Sequence, residues 1–256
     1  MTCRQKTTSG AVCEIEIYTV PETTRNIRNS EPKPENVRTP EEKEEYNRHK
    51  SEKHFIRLIN NNFTSNGYYV TLTYDNEHLP GSYSEALRNI DNYTRRLKYS
   101  NPNARIISVT GYGSSSGRLH HHLIIESVSE ADILSKWHCG IVAKAVHLKV
   151  HTEYQIEDFT ALAVYLHKHA PAKYKGKRWK QTKSIQQPVT EKKEVKRAYS
   201  SERPPKAPKG YVFVEAKTSG YYKSSYMYFK YVREVTEPLN RQPIFSNHRA
   251  GISARL

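Results

Sequence analysis

The segment GRLHHHLIIE, residues 117–126, constrains the fold more than any other part of the chain. Leu119, Leu123, Ile124 and Ile125 give it the apolar density of a buried strand. Side chains alternate along a strand, so His120 and His122 project to one face of a sheet while His121 shares the other face with Leu119, Leu123 and Ile125. Two imidazoles side by side on a rigid strand either face water or ligate one divalent ion. Such a strand needs a sheet around it. RIISVTGY (105–112) reads as a strand joined to it by GSSSG as a hairpin, YYVTLTY (68–74) as another, stopped by Asp75-Asn76 and Pro80, and AVHLKVHT (145–152) as a fourth.

Helical patterns lie between these strands. In TPEEKEEYNRHKSEKHFIRLIN, Thr39 is placed to cap a helix, Pro40 suits its first turn and Glu42 completes a capping box; the helix runs to about Asn60 with a polar first half. SYSEALRNIDNYTRRLKYSNP follows with Leu87, Ile90 and Leu97 at helical spacing, and SEADILSKWHCG reads as a short helix capped by Ser129. IEDFTALAVYLHKHA is a further helix, its stripe made by Ile156, Phe159, Ala163 and Leu166, with Pro171 as its stop. On it, Tyr165 and Lys168 lie three residues apart on one flank. A tyrosine hydroxyl can attack phosphorus and retain a phosphate ester, and a neighbouring ammonium favours the charge that develops on the phosphoryl oxygens. Taken alone, Y-x-x-K is a spacing that a chain with 19 tyrosines and 41 Lys or Arg reaches by chance.

Charge then narrows the partner. The formal net charge is +15, and Lys168–Gly210 holds 14 basic against 3 acidic residues, a net +11 that leaves +4 for the rest. A polyanion, nucleic acid or an anionic membrane surface, is the expected partner. With 36% hydrophobic residues the chain is expected to form one compact unit with solvated arms. The expected layout is an irregular leader at 1–38 with one short strand around CEIEIYTV, a nicking domain with its N-terminal helix at 39–170, a basic irregular arm and a closing strand pair at 171–237, and a loose tail at 238–256. In the arm, Lys177, Arg178 and Lys180 suit phosphates, Trp179 suits stacking on a base, and Gln186 and Gln187 suit polar contacts. The stretch 191–209 is equally readable as a solubilising tail. No apolar run approaches a membrane span, and the three cysteines lack C-x-x-C spacing, so a cytoplasmic location without a cysteine metal site is expected. A Walker A motif is absent from the sequence, so any helicase is expected to come from the host.

The order TLTYD, then GRLHHH, then YLHK resembles the three motifs of HUH endonucleases that initiate rolling-circle replication. TLTYDNEHLP, GRLHHHLII, YLHK and GKRWKQTKSIQQP together look like the replication initiators of small bacterial plasmids and single-stranded DNA phages. The resemblance implies an α+β fold of the HUH type, a central antiparallel sheet of ferredoxin or RRM-like kind flanked by helices. It also implies that His120 and His122 hold Mg²⁺ or Mn²⁺, that Tyr165 is the nucleophile, and that Lys168 orients or charge-balances the site. The partners would be single-stranded DNA at a replication origin and a host helicase and DNA polymerase, in the bacterial cytoplasm. A relaxase or a single-strand transposase shares the histidine pair, and a non-catalytic basic DNA-binding protein is the reading from another class. Two departures stand out. His121 replaces a bulky apolar residue, and where relatives carry glutamate in G-E-Y-G this chain has Thr110-Gly111-Tyr112-Gly113, leaving Asp75, Glu77 or water as the third ligand.

Overall fold

The computed structural model describes residues 1–19, 39–113, 116–151, 153, 155–171, 177–196, 199–219 and 226–234. Leader residues 20–38, arm residues 172–176 and the tail from 235 onward lie outside them.

The histidine strand is central, as its apolar run requires. It is Leu119–Glu126 (β5), antiparallel on one side to Arg105–Tyr112 (β4) and on the other to Tyr68–Tyr74 (β3). Gly140–His147 (β6) borders β3, and the two-residue strand Lys180–Gln181 (β7) borders β4, giving the order β6-β3-β5-β4-β7. The fourth strand thus begins five residues before the expected AVHLKVHT. Gly140 sets its start: its φ is +147°, and a Cβ there would lie 2.4 Å from the Thr73 carbonyl oxygen.

Each face of this sheet carries its own helices. Tyr83–Ser100 (α2) and the short Glu130–Ser135 (α3) pack Ile90, Tyr93, Leu97 and Ile133 onto Leu72, Ile106, Leu123 and Ile125. Pro40–Asn62 (α1) and Thr160–His169 (α4) pack Phe55, Leu58, Ile59, Ala163 and Leu166 onto Ile107, Val109 and Ile124. A side chain of this size, fully buried, contributes about 1.5–3 kcal/mol, so these two clusters hold the sheet in place. The capping box at the start of α1 forms as expected: Glu42 N donates to Thr39 Oγ1, and Thr39 N donates to Glu42 Oε2. The α4 helix is shorter than its pattern. Asp158 Oδ1 accepts from Thr160 N and Thr160 Oγ1, which fixes the start at Thr160 and leaves Ile156 and Phe159 packing from the preceding loop.

The strand expected around CEIEIYTV is present, and the irregular leader is corrected over residues 2–9, which form a second strand. Thr2–Ser9 (β1) and Val12–Thr19 (β2) form a hairpin within a second five-stranded antiparallel sheet. That sheet has the order β8-β1-β2-β10-β9, with Val189–Glu194 (β8), Tyr211–Ser219 (β9) and Tyr226–Arg233 (β10). Residues 189–194 of the basic arm are therefore a strand, although all six are exposed. One face of β2 and β10 holds Cys13, Ile15, Ile17, Phe229 and Tyr231. The other is polar and packs onto α1: Arg57 binds Glu14 and Glu16, Lys53 Nζ lies 2.6 Å from Glu16 Oε1, and the Tyr226 and Tyr228 hydroxyls donate to Glu16 and Glu14. Lys230 Nζ reaches Asp158 at the start of α4 at 2.6 Å. Burial alone would raise Glu16, but the cations of Lys53 and Arg57 hold its carboxyl down to about 2.

Candidate active site

Strand parity places His120 and His122 on the α1/α4 face, and the two Nε2 atoms lie 3.0 Å apart. Both rings are oriented by their other nitrogen. His120 Nδ1 is 3.3 Å from the Arg118 carbonyl oxygen, which only accepts, so Nδ1 carries a proton and Nε2 is the nitrogen turned to the cluster. His122 Nδ1 is 2.8 Å from the Tyr69 hydroxyl and 3.2 Å from the Thr71 hydroxyl. Hydroxyls accept as readily as they donate, so they serve His122 whether its proton sits on Nδ1 or Nε2. Metal-binding histidines use just such partners to fix ring and tautomer. Burial, then the neighbouring His120 and His169 charges, push His122 down to about 3, keeping it neutral and able to ligate.

The third member is His169, on the last turn of α4. With His120 and His122 it presents three ring nitrogens within 4.8 Å of one another. Bonds of about 2.1 Å place neighbouring ligands of one ion about 3–3.4 Å apart, so the His120–His122 pair is already at ligand spacing and the widest pair of the set would have to draw together. Gly111 makes the room. It pairs with His120 across the ladder, and a Cβ on it would lie 2.6 Å from the His169 carbonyl oxygen. The position where relatives carry glutamate is thus filled by the end of α4. Asp75 is turned instead to His78, accepting from its backbone N at 2.8 Å, and Glu77 is exposed; neither joins the cluster. Glu126, four residues beyond His122, accepts from Thr64 N and Thr64 Oγ1.

Tyr165 stands beside the histidines. It is 47% exposed, with its ring centroid 4.4 Å from that of His169 and 5.8 Å from that of His122. Lys168 is exposed one turn along and forms no ion pair among the described residues. Tyr154, the nearest tyrosine before the helix, lies outside the described residues. His121 points into the opposite core, fully buried, 2.7 Å from the Tyr74 hydroxyl and 2.8 Å from Thr110 Oγ1. Burial, with the charges of His120 and His122, holds it down to about 3, so it is a neutral core residue.

The basic segment is placed by β7 at the sheet edge. Lys177, Arg178 and Lys180 line a surface cavity, with Lys180 held by Asp91. Trp179 is not presented as a free stacking platform. Its ring centroid is 4.7 Å from that of Phe55, and its Nε1 donates to Gln181 Oε1 at 3.0 Å. The sequence singled out the histidine pair and Tyr165, which the structure brings close together, but not His169. Its signal was present: Y-x-x-x-H is one helical turn, which puts both residues on one side.

Paired imidazoles on the central strand of an antiparallel sheet, faced by a helix, define a cluster that fits an HUH motif. Over residues 67–177 the chain matches the family model for replication-associated proteins of the ORF2 type, a match consistent with a rolling-circle replication initiator. That span contains β3, β5, α4, the three histidines and Tyr165. No curated protein and no solved structure matches the chain. Among the described residues no helix is long and apolar enough to cross a membrane.

Proposed function

We propose that this protein nicks and rejoins single-stranded DNA at a replication origin to start rolling-circle replication, acting with a host helicase and DNA polymerase in the bacterial cytoplasm. The observation that carries the reading is the position of Tyr165 beside the three-histidine cluster, on the helix that supplies His169. His120, His122 and His169 would hold a divalent ion, and an all-imidazole set favours Mn²⁺ over the harder Mg²⁺. Such an ion, when bound, polarises the scissile phosphate and offsets charge on its oxygens.

The protein's own groups do the rest. Tyr165 Oη forms a bond to phosphorus, the bond from phosphorus to the 3′ oxygen breaks, and the products are a 5′-phosphotyrosine and a free 3′-OH. Lys168, one turn from Tyr165, supplies positive charge as the phosphoryl oxygens become more negative. The ester keeps the bond energy of the phosphodiester, so a later attack by a 3′-OH rejoins the strand with no nucleotide cofactor. A relaxase or a single-strand transposase would use the same parts.

The test uses origin oligonucleotide labelled 3′ of the nick, with Mn²⁺. Wild type is expected to give a covalent adduct that survives denaturation, while Tyr165→Phe binds DNA and gives none. An adduct persisting in Tyr165→Phe and mapping to another tyrosine overturns the assignment of the nucleophile. Absence of any adduct in wild type with any divalent metal favours a non-catalytic DNA-binding protein.

A further inference from the structure

The first turns of α1 have no core to pack against. Residues 43–50 are all exposed, and the first buried side chain of the helix is Phe55. At 1.5 Å per residue, the stretch from Thr39 to Ser51 overhangs by about 18 Å. Its stability comes from the capping box and from exposed pairs such as Arg48 with Glu45, not from burial. What the overhang does make is one wall of a cavity of about 1100 Å³. The other wall is Lys177–Gln181.

The chemistry of the lining is one-sided. Five cations, Lys43, Arg48, Lys177, Arg178 and Lys180, meet two carboxylates, Glu44 and Asp91. The one aromatic ring is already engaged, because Trp179 packs on Phe55 and donates its Nε1–H to Gln181. The cavity therefore offers charge without a free base-stacking ring. It also touches the catalytic helix from behind: Ser51 Oγ in its floor is 3.1 Å from Nε2 of His167, which lies two residues from both Tyr165 and His169.

We infer that this cleft is a second DNA site, holding the sugar-phosphate backbone of the single strand that flanks the nick without reading its bases. The inference rests on the nicking function proposed above for its biological setting, but its observations are separate from those of the histidine cluster. Concave walls with five cations against two carboxylates fit a flexible strand whose phosphates can follow them. Anchoring the flank on the back of α4 would hold the scissile region near Tyr165 while the adduct exists.

The double variant Lys43→Gln/Arg48→Gln tests this, because both residues lie outside the arm and the histidine site and leave the Thr39 capping box intact. Fluorescence polarisation with a long oligo(dT), and with an equally long abasic strand, is measured across a salt series. Two lost single-strand phosphate contacts lower the log-log slope by about 1.4, so the affinity loss at low salt is about sevenfold larger at 50 mM than at 200 mM. Wild type is expected to bind both strands alike, and the variant to lose affinity and slope for both. An unchanged slope in the variant overturns the inference, as does a wild-type preference for oligo(dT) over the abasic strand that the variant abolishes. Should wild type form no tyrosine adduct yet the variant lose slope, the nicking reading falls and the cleft stands; an adduct with an unchanged slope gives the reverse.

Discussion

The contact between Gly111 and the end of α4 gives a prediction whose size follows from the coordinates. In Gly111→Ala the new Cβ would sit 2.6 Å from the His169 carbonyl oxygen, and ordinary contact begins at 3.4 Å. The end of α4 must therefore retreat by about 0.8 Å, the difference between those distances, and it carries His169 with it. Tyr165 is one turn back on the same rigid helix and moves as well. A misplacement of about 1 Å at a reacting centre costs roughly 100-fold in rate, whereas overpacking of this kind costs about 1–3 kcal/mol in stability. The variant is thus expected to remain folded, bind Mn²⁺ more weakly by calorimetry, and form the origin adduct on the order of 100-fold more slowly. His169→Ala removes the ligand without any steric push and should also weaken Mn²⁺ binding. A folded Gly111→Ala protein with wild-type Mn²⁺ affinity and adduct rate would refute the argument that this close approach sets the site.

Two further outcomes are expected. His121→Leu should still form the adduct, because His121 faces the core away from the cluster, but the buried Tyr74 hydroxyl and Thr110 Oγ1 each lose one hydrogen-bond partner at about 1–3 kcal/mol, which a thermal melt will show as a lower midpoint. Glu16 has its folded pKa depressed to about 2 from 4.5, so its ion pairs stabilise the fold above pH 4.5 and that contribution is lost as pH falls through 2. The shift corresponds to on the order of 3 kcal/mol, and Glu16→Gln should show a flatter stability profile by denaturant titration in that window; an equally steep profile would assign the acid sensitivity to other groups.

The central sheet was readable because its strands carry their burial in their composition: Ile106, Ile107, Leu123, Ile124 and Ile125 serve two covered faces, and the parity of His120, His121 and His122 follows from the pleat alone. Of the second sheet, the strand around CEIEIYTV and the closing pair were readable, but β1 and β8 were not. TCRQKTTS has no apolar alternation, so β1 is a strand only through its pairing with β2 and β8. Glu14 and Glu16 look like solvent-facing residues until Lys53 and Arg57 are brought over them, a tertiary fact no local pattern contains. His169 escaped for the opposite reason. The family resemblance directed attention to a glutamate before the histidine strand, while the third histidine of the cluster comes from a helix terminus admitted by a missing Cβ at Gly111.

The second sheet has a consequence in time. Its central pair joins β2 to β10, and from Thr19 to Tyr226 the ribosome must add 226 − 19 = 207 residues. At about 5–20 residues per second, that takes roughly 10–40 s. Until β8 emerges both edges of the β1–β2 hairpin carry unpaired backbone groups, and the β2 edge does so throughout that interval, a template for pairing with another chain. The histidine sheet, by contrast, draws its strands from residues 68–181 and has all of them once Gln181 has emerged. The chain therefore assembles its histidine sheet before the second one, and nascent copies crowded on one message would meet through the waiting edge of β2.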